Sequence, residues 1–308
     1  MLSTFNAVAP IFLLIMVGYT LFHTKLAGPD VWWAVEHLVF YLLFPALLAR
    51  SLIRADLGSI PAAGFMIVTL SAVIGMAALL LALRPFFARR GLTGPTFTSL
   101  FQGATRWHGV MAVAVAGSLY GEIGLTFTAL AIVTMVPVIQ VMTVVVLLLY
   151  GTEQAEPNAR LILQRLITNP LIIACALGFA LNQTDVPDVV YEAFTMLSSG
   201  AIGLTLLAVG AGMSLSKATE TRALVAVGVS VRLIGMPLIV LGMSWLVGLD
   251  ETARTIAVIA GAVPTASTSY VMARKMGGNA DLMANIITFQ SLAAAVTLPV
   301  FITIAQQF

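Results

Sequence analysis

The chain has 308 residues, 60% of them apolar and only 9% charged, where an ordinary soluble domain has roughly 45–50% and 25%. That composition excludes a soluble globule, and at about 20 apolar residues per span nearly the whole length is needed for roughly ten membrane crossings with short connections. A net charge of +2 is too small to suggest nucleic acid, and the single cysteine, Cys175, offers neither an intrachain disulfide nor a cysteine-based metal cluster.

In chain order, apolar runs punctuated by charges, Pro and Gly predict helices at about 3–22, 33–53, 59–83, 95–119, 124–150, 164–182, 190–215, 222–248, 252–276 and 280–304. The first run has no Lys or Arg before it and no small-residue cleavage pattern, so it reads as a helix and not as a secretory signal. An even number of spans puts both termini on one side. Lys25, Arg84, Arg89, Arg90, Arg160, Arg165, Lys217, Arg222, Arg274 and Lys275 then fall on the opposite side, against Arg50, Arg54 and Arg254 on the side of the termini. Cytoplasmic loops carry the excess of Lys and Arg, so both termini are expected on the side away from the cytoplasm.

The chain repeats itself. Pro10 and Gly18 in APIFLLIMVGY match Pro170 and Gly178 in NPLIIACALGF, 160 residues on; Gly103 matches Gly261 at 158, and Pro137 matches Pro299 at 162. Near-constant offsets predict two halves of five helices, residues 1–150 and 151–308. An odd number per half inserts the second upside down relative to the first, as in many secondary transporters. The fold class expected is therefore an all-α polytopic membrane protein, ten transmembrane helices in two inverted five-helix repeats.

The fourth and ninth predicted helices carry the chemistry. Gly103 to Gly109 reads Gly-Ala-Thr-Arg-Trp-His-Gly, with Arg106 and His108 near the middle of an apolar span. A charge at that depth costs a few kcal/mol or more (roughly 3 on the lowest scale) unless paired or wetted. The corresponding part of the ninth helix holds Pro264, then Thr265, Ser267, Thr268 and Ser269. Proline removes a donor from the helical ladder and the hydroxyls can satisfy the carbonyls it frees. Both helices are therefore expected to break at mid-depth and to cross. Half-helices starting there would aim N–H groups and positive dipole ends at a carboxylate or other anion, and Arg106 would add a permanently charged planar fork.

Two readings stand for each candidate. Arg106 contacts substrate or braces unwound carbonyls; His108 carries a proton or bonds backbone; Arg232, the second cation inside a span, lines a path or binds lipid phosphate. Gln102, Gln140 and Gln290 ligate a coupling ion or bond between helices. Signatures of metalloproteases, serine hydrolases and nucleotide-driven pumps (HExxH, GxSxG, a P-loop) are absent, which disfavours an enzyme.

Taken together and in order, LFPALLARSL, FQGATRWHG, Tyr120-Gly121, NPLIIACALG, LLAVGAGMSL and GAVPTASTSYVMARKMGG resemble the auxin efflux carrier family, which includes plant PIN-type carriers and bacterial malonate and malate permeases. The resemblance implies a fold like that of the bile acid:sodium symporters. Helices one, two, six and seven would form a scaffold, often dimeric, and helices three to five and eight to ten a mobile transport domain working as an elevator. Its substrate site would comprise Thr105, Arg106, Trp107, His108 and Gly109 with Val263, Pro264, Thr265, Ala266 and Ser267. This sequence departs from the family in having Arg-Trp-His where an Asn-rich or Pro-containing crossover is common, and in having no acidic residue in the third helix.

The expected function is thus a secondary transporter for a small organic anion, a mono- or dicarboxylate. An anion channel or gated uniporter, or a membrane sensor that binds without transporting, are the alternatives. No cofactor is expected, and the coupling ion, H⁺ or Na⁺ if any, is open. Partners expected are the anion, membrane lipid and a second copy of the chain through the scaffold helices.

Overall fold

The computed structural model describes residues 2–58, 60–152, 160, 163–164, 167–213 and 222–307, with the side chains of the first few residues left aside. Arg165 and Lys217 of the basic count lie outside the described residues. The described residues are helical and include no strand. In chain order the helices are α1 (Leu2–His23), α2 (Pro29–Ile53), α3 (Ala62–Arg89), α4 (Gly94–Thr105), α5 (Gly109–Tyr150) and α6 (Pro170–Asn182). There follow α7 (Asp188–Ala211), α8 (Arg222–Val247), α9 (Glu251–Ala262), α10 (Thr268–Lys275) and α11 (Ala280–Gln307). Six described stretches are long and apolar enough to cross a membrane, namely α2, α3, α7, α8, α11 and Gly94–Tyr150, and Val8–His23 and Pro170–Asn182 are shorter apolar helices.

Prolines and glycines shape these helices as their chemistry requires. In α2 the amide of Phe44 bonds back five residues to Val39 O, and in α8 that of Met236 bonds to Val231 O. Each π turn stands one residue before a proline, Pro45 or Pro237, and the wider register accommodates the carbonyl a proline cannot serve. Within α5 the backbone reverses sense at Gly121, at φ 58°, a conformation that favours glycine. The helix at 164–182 starts properly at Pro170, where the Asn169 side chain caps the Leu171 amide at 2.9 Å and proline sits in the first turn.

The described residues form two compact units. The first takes in α1, α2, the Gly109–Val133 part of α5, α6 and α7. Here α1 and α7 touch backbone to backbone: a Cβ on Gly18 would collide with Leu207 O, and one on Gly210 with Ile15 O. Such approach is how membrane helices gain contact when lipid removes any hydrophobic drive between them. At the end of α2, Asn182 Nδ2 donates to Leu52 O, Ile53 O and Ala55 O at 2.9, 3.1 and 2.9 Å, covering orphan carbonyls of that helix terminus. The Arg50–Glu122 and Arg54–Asp188 ion pairs also lie in this unit.

The second unit holds α3, α4, the rest of α5 and α8 to α11. One apolar cluster in it packs Leu100 of α4, Val225 of α8, Ala273 of α10 and Leu282, Met283, Ile286 and Ile287 of α11. Ile286 fits where Gly103 and Gly228 lack a side chain, since a Cβ on either glycine would come within 2.9 Å of it. This packing brings α4 and α8 up to α11 beside the two helix breaks.

Candidate functional site

Both polar runs are interrupted helices. α4 and α9 are each 12 residues long, and each ends on a residue with extended backbone, Arg106 at φ −75°, ψ 144° and Val263 at φ −69°, ψ 150°. α5 begins at Gly109 and α10 at Thr268. The gaps meet: the amide of His108 donates to Pro264 O at 2.9 Å, and Thr265 Oγ1 donates to Gly103 O at 2.8 Å and Arg106 O at 3.3 Å.

Each break creates carbonyls without a helical partner. Ala260 O would ordinarily serve the amide four residues on, but that residue is Pro264 and has none; the amide that would serve Ala104 O belongs to His108 and is turned to Pro264. Arg232, presented by the π turn of α8 and wholly buried, answers them. Its Nε donates to Val263 O at 2.8 Å, one Nη to Ala104 O at 3.3 Å and the other to Ala260 O at 3.2 Å. A helix C-terminus is equivalent to roughly −0.5 charge, so two of them balance one guanidinium. Gln290 closes the rest, its Oε1 accepting from the Thr265 amide at 2.9 Å and its Nε2 donating to Gly103 O and Gly228 O at 2.8 and 3.0 Å.

Arg106 stands in different surroundings. One Nη lies 2.8 Å from Met272 Sδ and 3.5 Å from Gln140 Oε1, and the other donates to Thr268 Oγ1 at 3.1 Å. All three partners are neutral, and neither ion pair among the described residues involves Arg106. Thr268 opens α10, so the cation is beside a positive helix end and repelled by it. A guanidinium offers five donors in a planar fork, the geometry that pairs with carboxylates, and none of the partners it has here carries a negative charge.

The other expected residues fall around this point. Thr105 is buried and bonds back to Phe101 O at 2.7 Å; Trp107, His108, Val263, Pro264 and Thr265 are buried, while Ser267 is exposed and Ala266 partly so. Gln140 joins Arg106, whereas Gln102, one turn earlier on α4, is buried with neither amide atom bonded. Met272 was not foreshadowed by the sequence; the available signal was its place one turn beyond Thr268 on the same helix face. No group of three or more His, Cys, Asp or Glu suited to a metal occurs among the described residues.

Comparison with known proteins gives a consistent picture. The family described as Membrane transport protein matches residues 3–302. A protein of Methanothermobacter thermautotrophicus named "Uncharacterized transporter" is 24% identical over 304 residues, 96% of each chain. "Probable auxin efflux carrier component 5b" of rice, Oryza sativa subsp. japonica, is 24% identical over 154 residues, 47% of this chain and 41% of its own.

Proposed function

Because the chain belongs to the membrane transport protein family, the family of the auxin efflux carriers, we propose that it is a secondary transporter for a small organic anion, a mono- or dicarboxylate. The observation that carries this reading is the pairing of opposite solutions at the two arginines. Arg232 is consumed by the negative ends of α4 and α9, and Arg106 is left with neutral partners beside the positive end of α10. The residual charge of the site is positive and its donors point from a fixed frame.

On this reading the interrupted helices are crossing half-helices, and the chain forms ten spans in two inverted halves, 1–150 and 151–308. The equal lengths of α4 and α9 and the matching dihedrals at Arg106 and Val263 support that symmetry. Alternating access is of the elevator type. A transport domain containing Arg106, Pro264 and their supports moves against a scaffold of α1, α2, α6 and α7, a division supported by the two compact units, apart from Gly109–Val133, which groups with the scaffold helices. The protein resides in the bacterial inner membrane with periplasmic termini, and the scaffold helices are the face for a homodimer.

The test begins with purified protein and a thermal-shift screen of carboxylates, since a ligand of the folded state raises apparent stability. Arg106→Ala then removes a charge-assisted contact of about 2–5 kcal/mol and weakens binding roughly 30-fold or more. Lysine rescues in part, keeping charge and losing the fork. Wild-type affinity in folded, monodisperse Arg106→Ala protein ends the case for this anion site. Counterflow in liposomes tests the carrier cycle: trans-stimulation is expected, flux without it identifies a channel, and binding without flux a sensor.

A further inference from the structure

A second cation has a setting that the transport reading does not use. An apolar crevice of about 270 Å³ runs between α3, α4 and α8, and all its lining residues are apolar or glycine, among them Met76, Leu83 and Phe87 of α3, Phe97 of α4, and Val227 and Gly235 of α8. From Met76 to Phe87 the crevice follows α3 for about 16 Å at 1.5 Å per residue. That length and a wholly apolar lining suit a hydrocarbon chain better than a compact polar solute.

Arg84 stands at the Leu83–Phe87–Phe97 end. Its guanidinium carbon lies 5.2 Å from the Phe97 ring and 5.3 Å from the Tyr150 ring, close enough for both faces to orient the cation. Yet its Nε and one Nη are buried without a hydrogen-bond partner, and neither ion pair among the described residues includes it. Phe97 belongs to both features, lining the crevice and holding the arginine. Just beyond, at the end of the α3 span, Arg89 and Arg90 are exposed, which places Arg84 toward the headgroup level of one leaflet.

We propose that this crevice and Arg84 together bind one anionic phospholipid, an acyl chain lying along α3 and the phosphate pairing with the half-buried Arg84 guanidinium. Lipid tails are as apolar as the crevice walls, so the chain alone gains little over the surrounding bilayer; the crevice fixes where the lipid sits and Arg84 selects its charge. The proposal requires only that the chain reside in a bilayer and is independent of which anion the transporter carries.

Native mass spectrometry of the full chain in detergent, with phosphatidylglycerol and phosphatidylcholine of identical acyl chains at equal concentration, tests it. The wild type is expected to retain one phosphatidylglycerol about tenfold more tightly than phosphatidylcholine. Arg84→Gln should abolish that preference, Arg84→Lys should keep part of it, and Val227→Phe, which fills the crevice and leaves the arginine, should lower occupancy by both lipids. Equal retention of the two lipids by wild type overturns the proposal, as does an unchanged preference in Arg84→Gln. Transfer of the effect to Arg89→Gln or Arg90→Gln would do the same by moving the site to the surface. Displacement of the lipid by glycerol phosphate at the lipid's own concentration would show that the crevice takes no part.

Discussion

Replacing Arg232 with methionine isolates the cost of the two helix breaks. Methionine keeps much of the length and apolar volume and removes every donor. Val263 O, Ala104 O and Ala260 O, now served at 2.8, 3.3 and 3.2 Å, would be stranded in a site of zero exposure. A buried acceptor left unsatisfied costs about 1–3 kcal/mol. Partial offset comes from no longer burying a cation, a term that can reach a few kcal/mol. The net loss expected is about 3–5 kcal/mol, or about 6–10 °C of apparent melting temperature at roughly 2 °C per kcal/mol for a chain of this size. Lysine at 232 should recover about half, since one ammonium cannot reach three carbonyls on two helices with the same geometry. On the proposed function, the folded fraction of Arg232→Met should also bind carboxylate more weakly, because two helix C-termini would regain their negative ends close to Arg106. The assay is thermal unfolding in detergent without ligand, followed by binding on monodisperse protein. A methionine variant that melts within about 2 °C of wild type would show that water or backbone rearrangement satisfies the carbonyls and that the arginine does not hold the breaks.

Gly210→Ala should drive α1 and α7 apart, since a Cβ there collides with Ile15 O, at about 2–4 kcal/mol. Adding Gly18→Ala should cost less than its separate effect, because both open the same contact, and thermal melts of the three variants check it. Gln290→Leu removes the bonds to Thr265 N, Gly103 O and Gly228 O and should lower stability by about 2–4 kcal/mol together with ligand affinity, while a variant losing only stability would separate Gln290 from the site. Single cysteines at Gln183 and Asp250, in a Cys175→Ala background, should label from the periplasm, and one at Arg89 only after permeabilisation. The reverse pattern refutes the orientation.

What the sequence made legible followed from side chains that are out of place in lipid. Arg106 at mid-span and Pro264 inside a hydroxyl run marked both breaks, and Gly121 marked the boundary between two helical segments of α5, because each residue conflicts with an uninterrupted apolar helix. The role of Arg232 was not legible. Its partners are three backbone carbonyls on other helices, and a carbonyl carries no residue code. The same holds for Gln290, whose donor and acceptor both serve backbone. Met272 beside Arg106 was equally silent, since a methionine in an apolar span announces nothing. Arg84 read as one more positive charge at a helix end, and only the packing of Phe97 and Tyr150 distinguishes it from Arg89 and Arg90.

The dependence of the first break on distant residues bears on how the protein is made. Pro264 builds an interruption into its own helix, but residues 103–109 contain no proline, and a membrane interior requires backbone groups to find partners at once. Gly103 O, Ala104 O and the His108 amide find theirs on Gln290, Arg232 and Pro264, the farthest 187 residues downstream. At about 5–20 residues per second of synthesis, that separation is roughly 10–40 s during which the nascent first half lies in the bilayer without them. In that interval the self-sufficient conformation for residues 94–120 is one unbroken helix. The interruption at Arg106 is then expected late in assembly, when the second half arrives. A truncated chain ending before Arg232 should therefore shield Arg106 as part of a straight span, and the proposed anion site should come into being only with the last helix.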